Sequence, residues 1–262
     1  MRNNFNNAEE ILLSAITGKS REFLIAHPEI KMTKSQLLKL SAGRKKLRAG
    51  YPLAYLLGYK WFFGTKFAVN KSVLIPRPET ELLVEKALAA AKKLQPKMII
   101  DVGTGSGAII VSLRKNLKSG KFYGTDISVA ALKVAKANAK KLKIKFLRGN
   151  LLTPLFKTLQ KNPKNILICA NLPYLSKTEL REPSIKHEPK LALYAGTKST
   201  DKIVGLLQQI KKLRLSQSQI FLEIGYSQAS EIKKLAKKYL PAARLKIYKD
   251  LSGFDRLVQI WI

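Results

Sequence analysis

The feature that most constrains the fold is a regular alternation, from residue 97 to the end, of short apolar runs and segments of helical periodicity. Apolar runs of about five residues are typical of buried strands, and strands that alternate with helices form a mostly parallel sheet covered on both faces. Only a loop separates the last two runs, which predicts an antiparallel edge. The predicted strands are 98–102, 121–125, 144–147, 166–170, 219–224, 245–248 and 257–261, and the predicted helices are 108–117, 129–142, 203–213 and 229–239.

The preceding part of the chain has a different pattern. Apolar positions recur at helical spacing over 7–49, whereas aromatic and β-branched residues alternate with glycines over 51–75, which predicts a hairpin or two short strands. Prolines then interrupt the chain, and a helix is predicted to begin near Glu79. We therefore divide the chain into a small helical domain with a hairpin linker, 1–75, and a doubly wound α/β domain, 76–262.

The net charge of +32 is unusual and suggests a nucleic-acid partner. Its distribution weakens that inference, because residues 1–78 carry a net +10 and residues 79–262 a net +22, so that the excess per residue is similar in both parts. A specific nucleic-acid site usually shows a local patch of basic residues. The charge therefore leaves direct contact with RNA open.

Other residue types exclude several classes of protein. No apolar stretch approaches the ~18 residues of a membrane span, and the polar N-terminus lacks a secretory signal, so we expect a cytoplasmic protein. The only cysteine, Cys169, lies in an apolar run and is predicted to be buried. The sequence contains only two histidines, His27 and His187, which argues against a histidine triad or a histidine-rich metal site. We expect a monomer without a metal site.

A glycine-rich turn lies where the first strand of the α/β domain meets its helix. Glycines at such a turn allow a ligand to approach main-chain N–H groups, and the helix N-terminus adds a positive field. The spacing G-x-G-x-G differs from the G-x-G-x-x-G of dinucleotide-binding proteins. The residues predicted to bind a cofactor here are Gly103, Thr104, Gly105, Ser106 and Gly107.

The tetrapeptide Asn171-Leu172-Pro173-Tyr174 directly follows the fourth strand of this domain, at the edge where open parallel sheets carry their active sites. By itself it is typical of a plain turn begun by asparagine. At this position it suits the activation of a planar nitrogen. The Asn171 side-chain oxygen and a main-chain carbonyl can accept two N–H bonds, and Tyr174 can stack on the planar group. We predict Asn171 and Tyr174 as catalytic residues and all four as substrate-binding residues.

The glycine turn resembles motif I of the class I S-adenosylmethionine methyltransferases, and the tetrapeptide is similar to their (N/D)PPY signature. This resemblance implies a Rossmann-like sheet and S-adenosylmethionine as the cofactor, with Asn171 close to it. It also implies that Asp126 binds the ribose hydroxyls, that Asn150 contacts the adenine and that Leu151 packs on it. The family commonly has aspartate where Asn150 stands, and Leu172 replaces the first proline of the signature.

Residues outside these motifs narrow the resemblance to the HemK-like release-factor glutamine N5-methyltransferases. The most specific blocks are LIPRPETE at 74–81 and KDLSGFDR at 249–256. Further similar segments are 51–64, 187–193 and 221–225. The resemblance implies that the substrate is the glutamine of a Gly-Gly-Gln loop in peptide-chain release factors. It also implies that the helical N-terminal domain binds the release factor.

Two other functions stay open on the sequence alone. The first is an adenine N6-methyltransferase acting on RNA or DNA, which the charge and Leu172 favour, since rRNA adenine dimethylases also carry the NLPY form. The block at 76–81 and the helical N-terminal unit oppose it. The second is a catalytically idle basic protein that binds RNA, which the intact glycine turn, Asp126 and the tetrapeptide oppose.

Overall fold

The computed structural model describes residues 6–182 and 185–262, so the first five residues of the predicted helical domain lie outside it. Eleven α-helices, two 3₁₀ helices (Thr153–Leu155 and Glu179–Arg181) and nine strands follow one another in these residues. The helices are α1 (Asn7–Thr17), α2 (Arg21–Ala26), α3 (Lys34–Arg48), α4 (Leu53–Leu57), α5 (Thr80–Leu94), α6 (Ala108–Asn116), α7 (Val129–Ala139), α8 (Phe156–Lys161), α9 (Lys190–Leu193), α10 (Asp201–Leu213) and α11 (Ala229–Tyr239). The strands are β1 (Tyr59–Phe62), β2 (Thr65–Ala68), β3 (Met98–Val102), β4 (Lys121–Asp126), β5 (Ile144–Arg148), β6 (Ile166–Ala170), β7 (Gln219–Glu223), β8 (Arg244–Lys249) and β9 (Asp255–Trp261).

The central sheet has seven strands in the order β5-β4-β3-β6-β7-β9-β8. The first five are parallel, and β9 runs antiparallel to both β7 and β8. The predicted class I methyltransferase architecture, with its antiparallel C-terminal edge, is therefore confirmed. The order reverses between β3 and β6, and the crevice at such a reversal is where doubly wound sheets bind their ligands.

Burial on both faces explains why the central strands β3 and β6 consist almost entirely of apolar residues. Every residue of β3 and β6 is buried, including Cys169 as predicted. One face of the sheet packs with α10 and α11, and the other with α5 and α6. A sheet covered on both faces holds the carboxyl ends of its strands in fixed positions, which matters for the site described below.

The segment predicted as a hairpin begins with a helix instead. Leu53–Leu57 forms α4, which follows Pro52 and ends at Gly58 in the left-handed region (φ 76°). A five-residue helix is too short to show helical periodicity, so the aromatic pattern concealed it. The predicted hairpin follows as β1 and β2, joined by Phe63 and Gly64, which both have positive φ as a type I′ turn requires.

The N-terminal unit is built from α1 to α4 around a small leucine core that includes Leu12, Leu13, Leu24 and Leu40. Thr33 caps α3 through a capping box with Gln36. The hairpin packs elsewhere, because Phe62 belongs to the core that α5 and α6 share with the sheet. The domain boundary at residue 75 stays a prediction.

Three further details differ from the sequence prediction. The helix predicted for 129–142 ends at Ala139, because Lys140 leaves the helical region with φ 49° before the chain enters β5. The helices α8 and α9, of six and four residues, were not predicted because they are too short for a periodic pattern.

In the described part of the chain, no helix has the length and apolarity needed to cross a bilayer.

Candidate active site

The site lies at the carboxyl ends of the parallel strands, where residues distant in sequence converge. The glycine turn follows β3, Asp126 ends β4, Asn171 follows β6 and Glu223 ends β7. Because neighbouring parallel strands end at the same edge, the fold brings the predicted cofactor and reaction residues together there.

The glycine turn is fixed to the neighbouring strand and leaves room above it. The N–H groups of Gly103 and Thr104 both donate to the Thr125 carbonyl, at 2.9 Å each. The Thr104 hydroxyl donates to Asp101 at 2.6 Å, and burial raises the pKa of Asp101 to about 7. Gly103 has φ 73°, and a Cβ atom there would lie 3.1 Å from Leu172 Cδ2. This position therefore requires glycine on both conformational and steric grounds.

Asp126 is the acidic side chain of the cofactor region. Its carboxylate accepts the N–H of Gly105 through Oδ2 and that of Ser128 through Oδ1, both at 2.9 Å. Burial raises the pKa of Asp126, and the two main-chain N–H groups act in the opposite direction. The aspartate is thus held rigidly against the glycine turn, with its side chain lining the cavity described next.

A cavity of about 280 Å³ opens above the glycine turn. It is lined by most of the residues predicted to bind the cofactor, and also by Ile127, which the sequence analysis missed. Gly107 is not among the lining residues, because it is the N-cap of α6, with φ 80°, and faces Ala135. The predicted residues that line the cavity are Gly103, Thr104, Gly105, Ser106, Asp126, Asn150, Leu151 and Asn171.

The composition of this cavity fits an adenosine-containing ligand. The carboxylate of Asp126 can accept the ribose hydroxyls, and the apolar side chains of Ile127 and Leu151 offer a surface for a base. The exposed Asn150 uses its main-chain carbonyl for the N–H and hydroxyl of Thr153, which leaves its side chain available. S-adenosylmethionine has such an adenosine portion, so the residues present suit it.

A second cavity of about 380 Å³ adjoins the first. The reaction motif separates the two, since Asn171, Leu172 and Pro173 line both cavities and Tyr174 lines only the second. Four charged side chains complete its wall: Arg77, Glu79, Glu223 and Arg256. The second cavity therefore combines charged side chains with apolar ones, and it meets the cofactor cavity at the predicted reaction motif.

The four residues of the reaction motif have different environments. Asn171 donates through Nδ2 to the hydroxyl of Thr80, at 3.1 Å. Leu172 is buried, and its side chain belongs to the core of the sheet. Burial, together with the nearby Glu223 carboxylate, raises the pKa of Tyr174 to about 12, so its phenol is neutral at physiological pH. A group can thus be held between the Asn171 amide and the neutral Tyr174 ring.

Glu188 lies behind the cavities and holds Arg77, which lines both of them. Its buried carboxylate forms an ion pair with Arg77 and accepts the N–H of Ile75 at 3.0 Å. These contacts join the proline-rich segment before α5 to the segment before α9, so Glu188 shapes both cavities. Sequence analysis noted this glutamate only as part of a similar segment, because its partners lie 111 and 113 residues away.

We expect Glu188→Ala to lower the free energy of unfolding by about 2–4 kcal/mol, because it leaves Arg77 and the Ile75 N–H without their acceptor. Urea denaturation of the purified protein measures this change. The exposed Glu182, in the same connecting segment, provides a matched control, and Glu182→Ala should change the free energy by less than about 0.5 kcal/mol. Equal effects of the two substitutions would contradict a structural role for the Glu188 carboxylate.

Asn138 is a further residue that sequence analysis missed. Its side chain exchanges hydrogen bonds with the main chain of Ala68 in β2, at 2.7 and 2.9 Å, and donates to the carbonyl of Ser106 at 2.9 Å. One amide thus connects the hairpin to the glycine turn. An asparagine near the end of a helix has no distinctive sequence signal, so only the tertiary structure reveals this contact.

Comparisons of the sequence with known proteins agree with this geometry. A family profile described as a methyltransferase domain matches residues 95–235, and one described as the PrmC N-terminal domain matches residues 3–58. A release factor glutamine methyltransferase of Bacillus cereus is 34% identical over 260 residues, which cover 96% of this chain and 91% of the relative. One of Enterococcus faecalis is 37% identical over 238 residues, covering 89% and 84% of the two chains.

Solved structures share the fold at low sequence identity. The hMettl16 catalytic domain, in complex with the MAT2A 3′UTR hairpin 1, has a TM-score of 0.56 and 14% identity, covering 95% of this chain and 90% of the other. The ribosomal protein L11 methylase of Lactobacillus delbrueckii subsp. bulgaricus has a TM-score of 0.52 and 19% identity, covering 73% and 82%. These likenesses concern the fold alone.

Proposed function

The chain belongs to the release factor glutamine methyltransferases, a family of S-adenosylmethionine-dependent enzymes, and from this premise we propose its substrate and the residues that act on it. The substrate atom is the side-chain amide nitrogen, N5, of the glutamine in the Gly-Gly-Gln loop of peptide-chain release factors. The reaction then takes place in the cytoplasm, where translation ends. The helical N-terminal unit binds the release factor.

The observation that carries this proposal is the position of Asn171 between two adjoining cavities. One cavity carries the glycine turn and Asp126, and the other carries four charged side chains and is lined by Tyr174. A methyl donor in the first cavity and an amide in the second would meet at the Asn171 turn. Such mutual placement supplies most of the rate in a transfer that needs no strong base.

The cofactor contributes an electrophilic methyl group carried on a sulfonium. An amide nitrogen is a weak nucleophile because its lone pair is delocalised into the carbonyl. Asn171 Oδ1 accepts one of its N–H groups and the main-chain carbonyl of Leu172 accepts the other, which favours electron density on the nitrogen. The nitrogen would form its new bond to the methyl carbon as the carbon–sulfur bond breaks, which leaves a neutral thioether, and it would give up one N–H proton to solvent. The neutral Tyr174 ring holds the plane of the amide during this step.

Specific residues hold the cofactor in this scheme. Asp126 accepts the ribose hydroxyls, Ile127 and Leu151 enclose the adenine, and Asn150 contacts its edge. The glycine turn binds the methionine portion through main-chain N–H groups. Both Asp126 and the glycine turn are already fixed by hydrogen bonds within the protein, which lowers the entropy cost of binding.

The proposal is tested with radiolabelled S-adenosylmethionine and two purified acceptors offered in parallel, a full-length release factor and ribosomal RNA. We expect label in the release factor, and none in a release factor whose Gly-Gly-Gln glutamine is replaced by alanine. Label in RNA but not in the release factor would instead identify an adenine methyltransferase. No label in either acceptor, with no binding of the cofactor, would identify an idle protein.

Two substitutions of Tyr174 distinguish stacking of its ring from hydrogen bonding by its hydroxyl in the second cavity. We expect Tyr174→Phe to keep kcat/KM within about threefold, because the ring is retained, and Tyr174→Ala to lower it about tenfold or more. Steady-state kinetics with the release factor as the varied substrate measures both values. If the phenylalanine variant were as impaired as the alanine variant, the phenol hydroxyl rather than the ring would carry the function.

A further inference from the structure

The two ends of the Asn171 side chain have opposite hydrogen-bonding character. Its Oδ1 only accepts hydrogen bonds, whereas its Nδ2 only donates them. The proposed reaction needs Oδ1 toward the substrate N–H, since a flipped amide would place donors against donors. Nothing in the turn after β6 selects one orientation of this terminal torsion, because such sp³–sp² torsions have broad, roughly two-fold preferences. The selection must come from the residues around it.

Thr80 is the first of these residues. Its hydroxyl accepts the hydrogen bond from Asn171 Nδ2, and its side chain is buried in the first turn of α5. A hydroxyl has one proton to donate. Because the Thr80 oxygen accepts from Asn171, its own proton is directed to a further acceptor.

Glu223 is positioned to be that acceptor. It ends β7, is only 2% exposed and lines the second cavity. Hydrogen bonds from Thr80 and Asn171 to its carboxyl group lower its pKa, which opposes the effect of burial. Among the residues that the structure describes, no hydrogen-bond partner faces its Oε2 atom. An ionised carboxylate only accepts hydrogen bonds, so it makes both neighbours donate toward it.

The charged groups around Glu223 do not offset the effect of burial on its pKa. Arg256 on β9 lowers its pKa, but this guanidinium is already bonded to Asp250 Oδ2 at 3.0 Å. Glu79, just before α5, raises it, and the nearby Tyr174 phenol carries no charge. Arg77 lines the same cavity and is paired with Glu188. Burial dominates, and the pKa of Glu223 rises to about 7.

We propose that Thr80 and Glu223 are positioning residues. They hold the Asn171 amide with Nδ2 toward Glu223 and with Oδ1 toward the substrate amide that receives the methyl group. The inference rests on the proposed function for its catalytic consequence, although the hydrogen-bond network can be tested without a substrate. A protonated Glu223 has a proton to donate and no longer makes both neighbours donate toward it. The network then loses its fixed direction, and turnover falls as the pH drops below about 7.

The network is tested first without any acceptor protein, by NMR of the protein labelled with ¹⁵N at asparagine. The Asn171 Nδ2 signal is identified by its loss in Asn171→Ala. We expect this signal to shift between about pH 5.5 and about pH 8.5, with a midpoint near 7 that is lost in Glu223→Gln and kept in the exposed control Glu85→Gln. A wild-type signal that does not titrate would overturn the proposal.

Kinetics with the release factor then tests the consequence for the reaction. Thr80→Val should lower kcat about 10- to 100-fold with little change in KM, and Thr80→Ser should restore most of it. Glu223→Gln should lower kcat and flatten its pH profile. Wild-type kcat in Thr80→Val would overturn the positioning role. If the wild-type protein labels no release factor while Nδ2 still titrates, the proposed substrate is wrong and the network stands.

Stability separates this role from a merely structural one. The pKa of Glu223 in the folded protein lies above its ordinary value of 4.5. Its favourable contribution to the free energy of unfolding is therefore present at low pH and lost as the pH rises through about 7. Glu223→Gln removes this charge and should be at least as stable as the wild type at about pH 8, although it turns over more slowly. A variant that is both slower and less stable at that pH would contradict the positioning role.

Discussion

Asn171→Ala is expected to lower the turnover number about 100- to 1,000-fold and to leave the dissociation constant of S-adenosylmethionine within about threefold of the wild-type value. The substitution removes the acceptor that draws on one N–H of the substrate amide as the nitrogen becomes nucleophilic. This interaction strengthens in the transition state, so its loss affects kcat. The cofactor keeps the glycine turn and Asp126, which alanine at position 171 does not touch.

Single-turnover kinetics measures the chemical step, and isothermal titration calorimetry measures binding of the cofactor. Asn162→Ala is a suitable control, because it removes an exposed asparagine at the end of α8 and should change neither quantity. Parallel losses of turnover and cofactor affinity in Asn171→Ala would show that the residue holds the cofactor rather than the acceptor. Its hydrogen bond to Thr80 makes the acceptor role the expected one.

The second large effect concerns Asp126→Ala, which should weaken binding of S-adenosylmethionine about 100-fold, equivalent to about 2.7 kcal/mol. The carboxylate is the acceptor for the ribose hydroxyls, and it also holds the N–H groups of Gly105 and Ser128. Its removal therefore costs two hydrogen bonds to the ligand and loosens the turn that binds the methionine portion. Calorimetric titration with the cofactor measures the change.

Asp255→Ala offers the matched comparison for this variant. Asp255 begins β9 and pairs with Lys249, so this substitution also removes one carboxylate, but at the antiparallel edge of the sheet. We expect its affinity for the cofactor to equal that of the wild type. Were Asp126→Ala also to bind normally, the cavity above the glycine turn would need another ligand or another orientation of this one.

The fold was predictable because its strongest signals are local. The central strands β3 and β6 are buried and almost entirely apolar, and most of the helices between the strands are long enough to show periodicity. Short elements were not predictable for the same reason. The helix at Leu53–Leu57 makes little more than one turn, and its residues also suit a strand.

The site was predictable only in part, for a related physical reason. Asn171 and Asp126 each follow or end a strand, so the rule that parallel strands converge at one edge locates them. Thr80 and Glu188 act through contacts with residues 91 to 113 positions away, and no local pattern encodes such contacts. Sequence analysis noted Glu223 only within the similar segment 221–225, whereas in the structure this buried side chain lines the second cavity.

Leu172, which stands where the family usually has proline, limits the substitutions that the reaction motif tolerates. Its side chain fills the core beneath the reaction motif and lies 3.1 Å from where a Cβ of Gly103 would stand. The side chains at positions 103 and 172 therefore share one volume, although one belongs to the cofactor turn and the other to the reaction turn. A consensus proline introduced here would gain a rigid φ but vacate part of that volume, and position 103 cannot refill it because its φ of 73° restricts it to glycine.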